Sequence, residues 1–457
     1  MREIFFNPIV LLLVAVIGAI YLLLFSSWVT REENNHRLRW LITFIFLFSG
    51  LHPTVAPFPY FQPEALAGFD KSPESAFVQL TFYSAIALLL SSWFRSFFSG
   101  LLYLGKNPFL FGLLLLALLS AFWSETPILC FRYGLVFLFA TLFAIHIARE
   151  YSFKALCVIL RRLAFVSGII NLCSPAIVPS LAIKDKGLSG IMPFPIDLGN
   201  FLAFGVALWV SYGLDAPKQE RWKAFAIAGF LGMVMLMANS AQSIFICVVL
   251  TVLVIVLQSV KFLDSKYFPV LLIGGLILAI VTSVIMQYLL PLIFAALGKD
   301  MSLTGRTEFW PQLIDRLEQH NLFVGYGINS FWQAWRGDDD PAHGIIIYGG
   351  FIPTHAHNGF IDLALSLGVF GLILFFMSWF VGLAQAVKYS LQNGSADCSL
   401  PLLILVYLVF FNVSHTLLTG ANYIWVLYTI ALIRLQIEYR QQRKSAPELQ
   451  SVRSLPV

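Results

Sequence analysis

Apolar residues fill one stretch of roughly twenty after another along this chain, and polar residues gather in the intervals between them. A bilayer core of about 30 Å demands about 20 consecutive apolar residues from a helix that crosses it. Such stretches run near 8–28, 38–52, 76–94, 108–122, 128–147 and 156–176. Others follow near 197–213, 222–238, 240–258, 268–290, 356–385, 400–418 and 422–437. The pattern predicts an all-α polytopic membrane protein with about 12–14 transmembrane helices. The last two stretches are read as separate spans or as one broken hairpin. No break divides the spans into blocks, so residues 1–457 are expected to form a single transmembrane domain. The first stretch, from Pro8 to Trp28, exceeds a signal-peptide core in length and reads as an uncleaved anchor.

Composition narrows the class further. Hydrophobic residues make up 59% and charged residues 12%, with a mean hydropathy of +0.81. Soluble domains are about a quarter charged, so lipid is the expected surrounding and nucleic acid is not an expected partner. The five cysteines lie in or beside apolar stretches with no paired spacing, which points to neither a disulfide framework nor a zinc site.

Charge orients the spans. With the basic tail 438–457 placed in the cytoplasm, alternation collects most of the 29 Lys and Arg on the same side. Arg37, Arg39, Lys106, Arg161, Arg162, Lys223, Lys266 and Lys388 are among them. Positive charge favours the cytoplasmic side, so the C-terminus is expected inside and 53–75, 177–196 and 291–357 outside. The basic residues left over are Arg2, Lys71, Arg132, Lys184, Lys186, Lys299, Arg306, Arg316 and Arg336. Apart from Arg2 they fall outside or near the outer end of a span, where they either anchor loops or meet an anionic ligand. Arg132 lies a few residues into an apolar run, and either snorkels to the outer interface or serves function.

The outer loop 291–357 is too long to be a mere connection. Phe309, Leu313 and Leu317 recur at helical spacing opposite Gln312, Asp315, Arg316 and Gln319. This predicts an amphipathic helix lying in the membrane interface, with Pro311 in its first turn. Arg306 stands at the positive end of that helix, where it either anchors to headgroups or receives a phosphate. Gly325-Tyr326-Gly327 reads as a turn, and Asp338-Asp339-Asp340-Pro341 as a loop cap rather than a metal site. Four of the eight histidines, His320, His343, His355 and His357, lie in or at the end of the loop. The His355-Ala356-His357 pair lacks a third ligand at metal-site spacing. A histidine at the mouth of a span suits a general base, because its charge changes near working pH. Asp362 follows within the apolar run and either orients a catalytic group or pairs with a polar neighbour. Gly368 and Gly371 are expected to let another helix approach.

His357-Asn358 followed by Gly368-x-x-Gly371 resembles the signature of the O-antigen ligase and polysaccharide polymerase superfamily of bacterial inner-membrane glycosyltransferases. Thr304-Gly305-Arg306, the amphipathic segment and Gly325-x-Gly327 are similar to the earlier part of the same domain. Trp123-Ser124-Glu125-Thr126-Pro127 resembles the sequence that opens a middle span in its exopolysaccharide-polymerase branch. Gly190 to Asn200 also resembles a segment of that branch, but Pro193-Phe194-Pro195-Ile196-Asp197 replaces its histidine, so no role is carried over there. The resemblance covers roughly residues 110–385.

It implies an undecaprenyl diphosphate-linked glycan as donor, with no cofactor and no metal. The acceptor is a second glycan or lipid A core, reached at the periplasmic face, and a chain-length regulator is an accessory partner of polymerisation. It also implies His357 and Arg306 as catalytic residues, with Arg132, Arg316, His355 and Asn358 binding substrate. Polymerisation of lipid-linked units into exopolysaccharide or O-antigen is the first reading, and ligation to lipid A core the second. A transporter or flippase is the rival from another class. It is disfavoured by the lack of an internal repeat and by few buried ionisable candidates, His146, Asp197, Asp362 and His415.

Overall fold

The computed structural model describes residues 40–41, 43–45, 47–48, 100–184, 187–260, 306–345, 353–413, 415–418, 420 and 422–453. The expected spans 8–28, 76–94 and 268–290 lie outside the described residues, as do Arg2, Lys71, Lys186 and Lys299. The described helices are α1 (Pro108–Leu119), α2 (Pro127–Glu150), α3 (Phe153–Ile177), α4 (Pro195–Asp215) and α5 (Lys218–Met237). They continue as α6 (Ala241–Val260), α7 (Arg306–His320), α8 (Gly359–Asn393), α9 (Leu400–Asn412) and α10 (Tyr423–Arg453). A two-residue hairpin, Ile183–Lys184 with Gly187–Leu188, lies between α3 and α4.

The chain is a largely helical, multi-span membrane protein. Among the described residues five helices, α2, α3, α4, α6 and α8, are long and apolar enough to cross a membrane, and α1 and α9 are shorter apolar helices. The broken-hairpin alternative for the last two stretches resolves into separate helices α9 and α10. The helix of the second runs on to Arg453, into the stretch expected to be a tail.

Local chemistry sets where the helices begin. Proline occupies the first turn of α1, α2 and α4, where its missing N–H costs no hydrogen bond. Ser152 caps α3 by accepting from the Ala155 N–H at 3.3 Å. Small residues then allow close packing: a Cβ at Gly205 of α4 would lie 2.6 Å from Ala164 of α3. α4 packs among α3, α5 and α6, while α10 packs against α2, α8 and α9. Trp425 of α10 is fully buried beside Phe137, ring centroids 4.3 Å apart, and its Nε1 donates to Thr141 Oγ1 at 2.9 Å.

α8 is not a continuous helix. At Gly368 the backbone turns to φ 65°, ψ −165°, about 13 Å along the helix at a rise of about 1.5 Å per residue. The break frees two carbonyls and two N–H groups, and the outer loop takes up all four. Tyr326 and Gly327 N–H donate to the Leu365 and Ser366 carbonyls, both at 2.9 Å. Val369 and Phe370 N–H donate to the Leu322 and Phe323 carbonyls at 2.9 and 3.1 Å. This corrects the expectation for Gly368, which admits the backbone of the loop rather than another helix. A Cβ there would lie 2.2 Å from the Phe323 carbonyl group. Gly371 would meet Leu367 of its own helix at 2.5 Å, so it too serves the break. Gly325, at φ 66°, is the matching residue on the loop, 2.5 Å from the Leu365 carbonyl by the same measure.

α7 forms where the pattern predicts it, with two differences. The helix starts at Arg306, so Pro311 lies inside it rather than in its first turn. Its apolar face is covered by protein rather than presented to lipid. Phe309 and Leu313 are fully buried with Tyr326, Phe331, Ile345, Ala356 and Leu365, whereas Ile314 stays exposed. Each large side chain buried in this way contributes about 2 kcal/mol, enough for a few of them to fix the loop.

Gly368→Ala is expected to lower the thermal unfolding temperature of the detergent-purified protein and to expose the loop to limited proteolysis. The left-handed conformation alone costs about 1–3 kcal/mol, before the clash. Gly232→Ala, in α5 where a Cβ meets nothing within 4 Å, is the matched control and is expected to leave both readouts unchanged.

Candidate functional site

The Trp123-Ser124-Glu125-Thr126 motif between α1 and α2 is a latch for the outer loop. Trp123 Nε1 donates to the Val324 carbonyl at 3.2 Å, and the Ser124 and Ser330 hydroxyls share a bond of 2.7 Å. Gln333 Nε2 donates to Thr126 Oγ1 at 2.8 Å, and Arg336 Nη1 pairs with Glu125 Oε2 at 2.8 Å. Below them Ser120, fully buried, accepts from the Ile328 N–H at 3.1 Å and lies 3.0 Å from Cys130 Sγ. Four adjacent side chains of one short connection thus grip the loop across more than two hundred residues of sequence.

The histidine pair sits where the loop returns to the bundle. Ala356, between His355 and His357, is fully buried and held through both of its backbone groups. Its N–H donates to Asp362 Oδ2 at 2.9 Å, and its carbonyl accepts from Trp310 Nε1 of α7 at 2.8 Å. Asp362, in the first turn of α8, also accepts from Trp332 Nε1 at 2.6 Å and from the Thr416 hydroxyl. One buried carboxyl group therefore ties together the loop, the return point and the chain after α9. Of the two roles open to Asp362 in the sequence, the contacts show the second: it pairs with polar neighbours, one of them the backbone N–H of Ala356 between the two histidines.

The two rings stand 4.0 Å apart, and the Thr354 hydroxyl lies 3.1 Å from His355 Nδ1. His357 has φ 51°, a left-handed conformation uncommon outside glycine that clusters at functional sites. Asn358 Oδ1 caps α8, accepting from the Phe360 and Ile361 N–H groups at 3.0 and 3.2 Å.

The other sequence candidates fall as follows. Arg132 is half-buried in the second turn of α2. Arg306 is the first residue of α7, and its side chain lies outside the described residues. Arg316 Nη2 donates to the His343 carbonyl at 3.1 Å, and its own carbonyl accepts from the Tyr326 hydroxyl at 2.8 Å. Burial raises the Tyr326 phenol above its ordinary value, so it remains a donor at neutral pH. His320 stacks on that ring at 4.0 Å and braces the fold of the loop. Lys184 donates to the Pro193 carbonyl and lies over the Phe194 ring. Asp340 caps the loop as expected, accepting from the Gln333 and Ala342 N–H groups at 3.0 Å. Among the described residues no three His, Cys, Asp or Glu side chains form a group able to hold a metal.

Two of the buried ionisable candidates pair with each other. His415 Nε2 lies 2.7 Å from Asp197 Oδ1, linking the chain after α9 to the first turn of α4. Nothing in the sequence sets that partnership, because more than two hundred residues separate them.

Residues 201–376 match the family model described as O-antigen ligase. The match runs from α4 through the loop and both histidines into α8, and it omits the Trp123–Thr126 latch. The chain is also similar to the exopolysaccharide production protein ExoQ of Rhizobium meliloti (strain 1021). The identity is 26% over 281 residues, 59% of this chain and 62% of that relative, less than two thirds of its length.

Trp310→Phe removes one donor while keeping most of an aromatic ring. It is expected to cost about 1 kcal/mol and to speed backbone hydrogen exchange across His355–His357, with α4 unaffected. Unchanged exchange at the histidines would rule out the clamp on Ala356.

Proposed function

We propose that this chain, which matches the O-antigen ligase family over residues 201–376, is a member of it that polymerises polyprenyl diphosphate-linked oligosaccharide units into an exopolysaccharide or O-antigen at the periplasmic face of the bacterial inner membrane. The observation that carries this reading is the clamped His355-Ala356-His357 segment at the return point of a loop latched to the bundle. Such a segment presents imidazoles of fixed position at a membrane surface, where a lipid-linked substrate and a water-borne acceptor meet.

In this reading the acceptor hydroxyl attacks the anomeric carbon of the donor, and His357 accepts the hydroxyl proton. The bond from that carbon to the diphosphate oxygen breaks, and its electron pair leaves with the polyprenyl diphosphate. A single displacement of this kind inverts the sugar carbon. Arg306, at the positive end of α7, and Arg132, near the start of α2, stabilise the charge that develops on the diphosphate. Arg316, His355 and Asn358 position the sugars. General-base assistance supplies roughly 10²–10⁴-fold, so fixed cations and positioning must supply the larger share.

The break in α8 supports an enzyme over a transporter. In transporters, broken helices leave their polar ends for ions and substrate. Here the freed backbone groups are consumed by the chain's own loop.

Ligation of a finished glycan to lipid A core is the second reading, favoured by the description of the matched family. Polymerisation is preferred because the Trp123–Pro127 motif resembles that branch and the matched relative is named for exopolysaccharide production.

The test is glycan transfer by detergent-purified protein supplied with polyprenyl diphosphate-linked repeat units, with and without lipid A core. A ladder of products is expected, whereas a single addition to lipid A core would identify a ligase. His357→Ala is expected to lower the rate by about 10²–10⁴-fold, and undiminished activity would remove His357 from the mechanism.

A further inference from the structure

The approach to α1, the end of α8 and the middle of α10 meet at the opposite end of the bundle from the docked loop. There Lys106, Ala384, Lys388, Gln436, Tyr439 and Arg440 line a cavity of about 460 Å³. Its cations come from three separate elements, and among the described residues none of the three forms an ion pair with a carboxylate. Glu438, the nearest acid along α10, is already held by Arg434 at 2.8 and 2.6 Å. Partial relief comes from aromatic faces: Lys106 and Arg440 lie 5.6 and 5.3 Å from the centre of the Tyr103 ring, and Lys388 lies 5.9 Å from that of Tyr439. A ring quadrupole does not neutralise full charges, so the cavity keeps a strong demand for an anion. Among the described residues the buried Gln436 Oε1 has no hydrogen-bond partner.

The surface above the cavity narrows the choice of anion. Phe370, Ile373, Met377 and Phe380 are all exposed on α8. They recur at helical spacing and continue the line through Ala384 to Lys388, so an apolar stripe runs directly into the basic cavity. Phe111 and Leu115 of the adjoining α1 are exposed as well. Free phosphate would use the cations and leave the stripe idle. A phospholipid uses both.

We propose that this cavity binds the headgroup phosphate of an anionic phospholipid, with its acyl chains laid along the α8 stripe. The charge-based orientation makes this the cytoplasmic leaflet, so the site is separate from the proposed glycan-transfer site. Basic pockets between spans on that side are well suited to anionic headgroups, each cation adding about fivefold in affinity.

The experiment is native mass spectrometry of the full chain in mild detergent, with added phosphatidylglycerol or phosphatidylcholine and with inorganic phosphate as competitor. Wild-type protein is expected to retain phosphatidylglycerol over phosphatidylcholine, with millimolar phosphate unable to displace it. The double variant Lys388→Gln/Arg440→Gln is expected to lose retention about 25-fold. Lys218→Gln/Lys223→Gln, on α5, is expected to bind as wild type. If the double variant does not fold, the single variants Lys106→Gln and Lys388→Gln are expected to lose about fivefold each. Equal retention of the two lipids, or no loss in the variants, would overturn the site. Displacement by inorganic phosphate alone would overturn the lipid assignment.

Discussion

A backbone polar group inside an apolar phase has no water to turn to, and every irregularity in a membrane helix must be satisfied by protein. That constraint is concentrated at Gly368. The break there would leave two carbonyls and two N–H groups bare, at several kcal/mol each. The segment Leu322–Gly327 supplies the complementary pattern and no more. The other contacts of the described part of the loop build on that docking. The latch at Trp123–Thr126 holds the back of the docked segment, and the apolar face of α7 covers the cluster around Tyr326 and Phe331. The buried Asp362 then ties the far end of the loop to the same helix.

The histidines are positioned at the end of this chain of dependence. Their backbone is gripped through Ala356 by groups from α7 and α8, while their rings lie tilted with centroids 4.0 Å apart. A loop fixed only by its covalent ends would leave such side chains free to wander. Here the loop carries a small apolar core of its own, so the candidate catalytic residues rest on packing comparable to that of the spans. Precision of this kind is what proximity and orientation effects require.

Much of the architecture was legible because lipid imposes a simple rule. Apolar stretches of span length predicted α1 to α6 within a few residues and the starts of α8, α9 and α10, though not their ends, and helical spacing of Phe309, Leu313 and Leu317 predicted α7. What covers that face was not legible, since lipid and protein interiors are both apolar and the pattern cannot tell them apart. The role of Gly368 was hidden for a related reason: a glycine that admits a helix and one that breaks a helix look the same in sequence. Trp123–Thr126 was visible as a motif, but its task depends on partners some two hundred residues away. The Asp197–His415 pair carried no signal beyond two ionisable residues in apolar runs. Of the candidate site, the His355–His357 segment and Asp362 were legible as a neighbourhood because they are close in sequence.

The pairing of Leu322–Gly327 with the break in α8 also orders events during synthesis. Residues 322–327 are made before 359–371 and must be in place to dock when α8 arrives. Until then α8 is an incomplete span, carrying polar groups that the bilayer disfavours. Its stable seating is therefore conditional on docking of the preceding segment. Docking of the loop and completion of the helix become one coupled step, which ties assembly of the candidate site to the seating of α8.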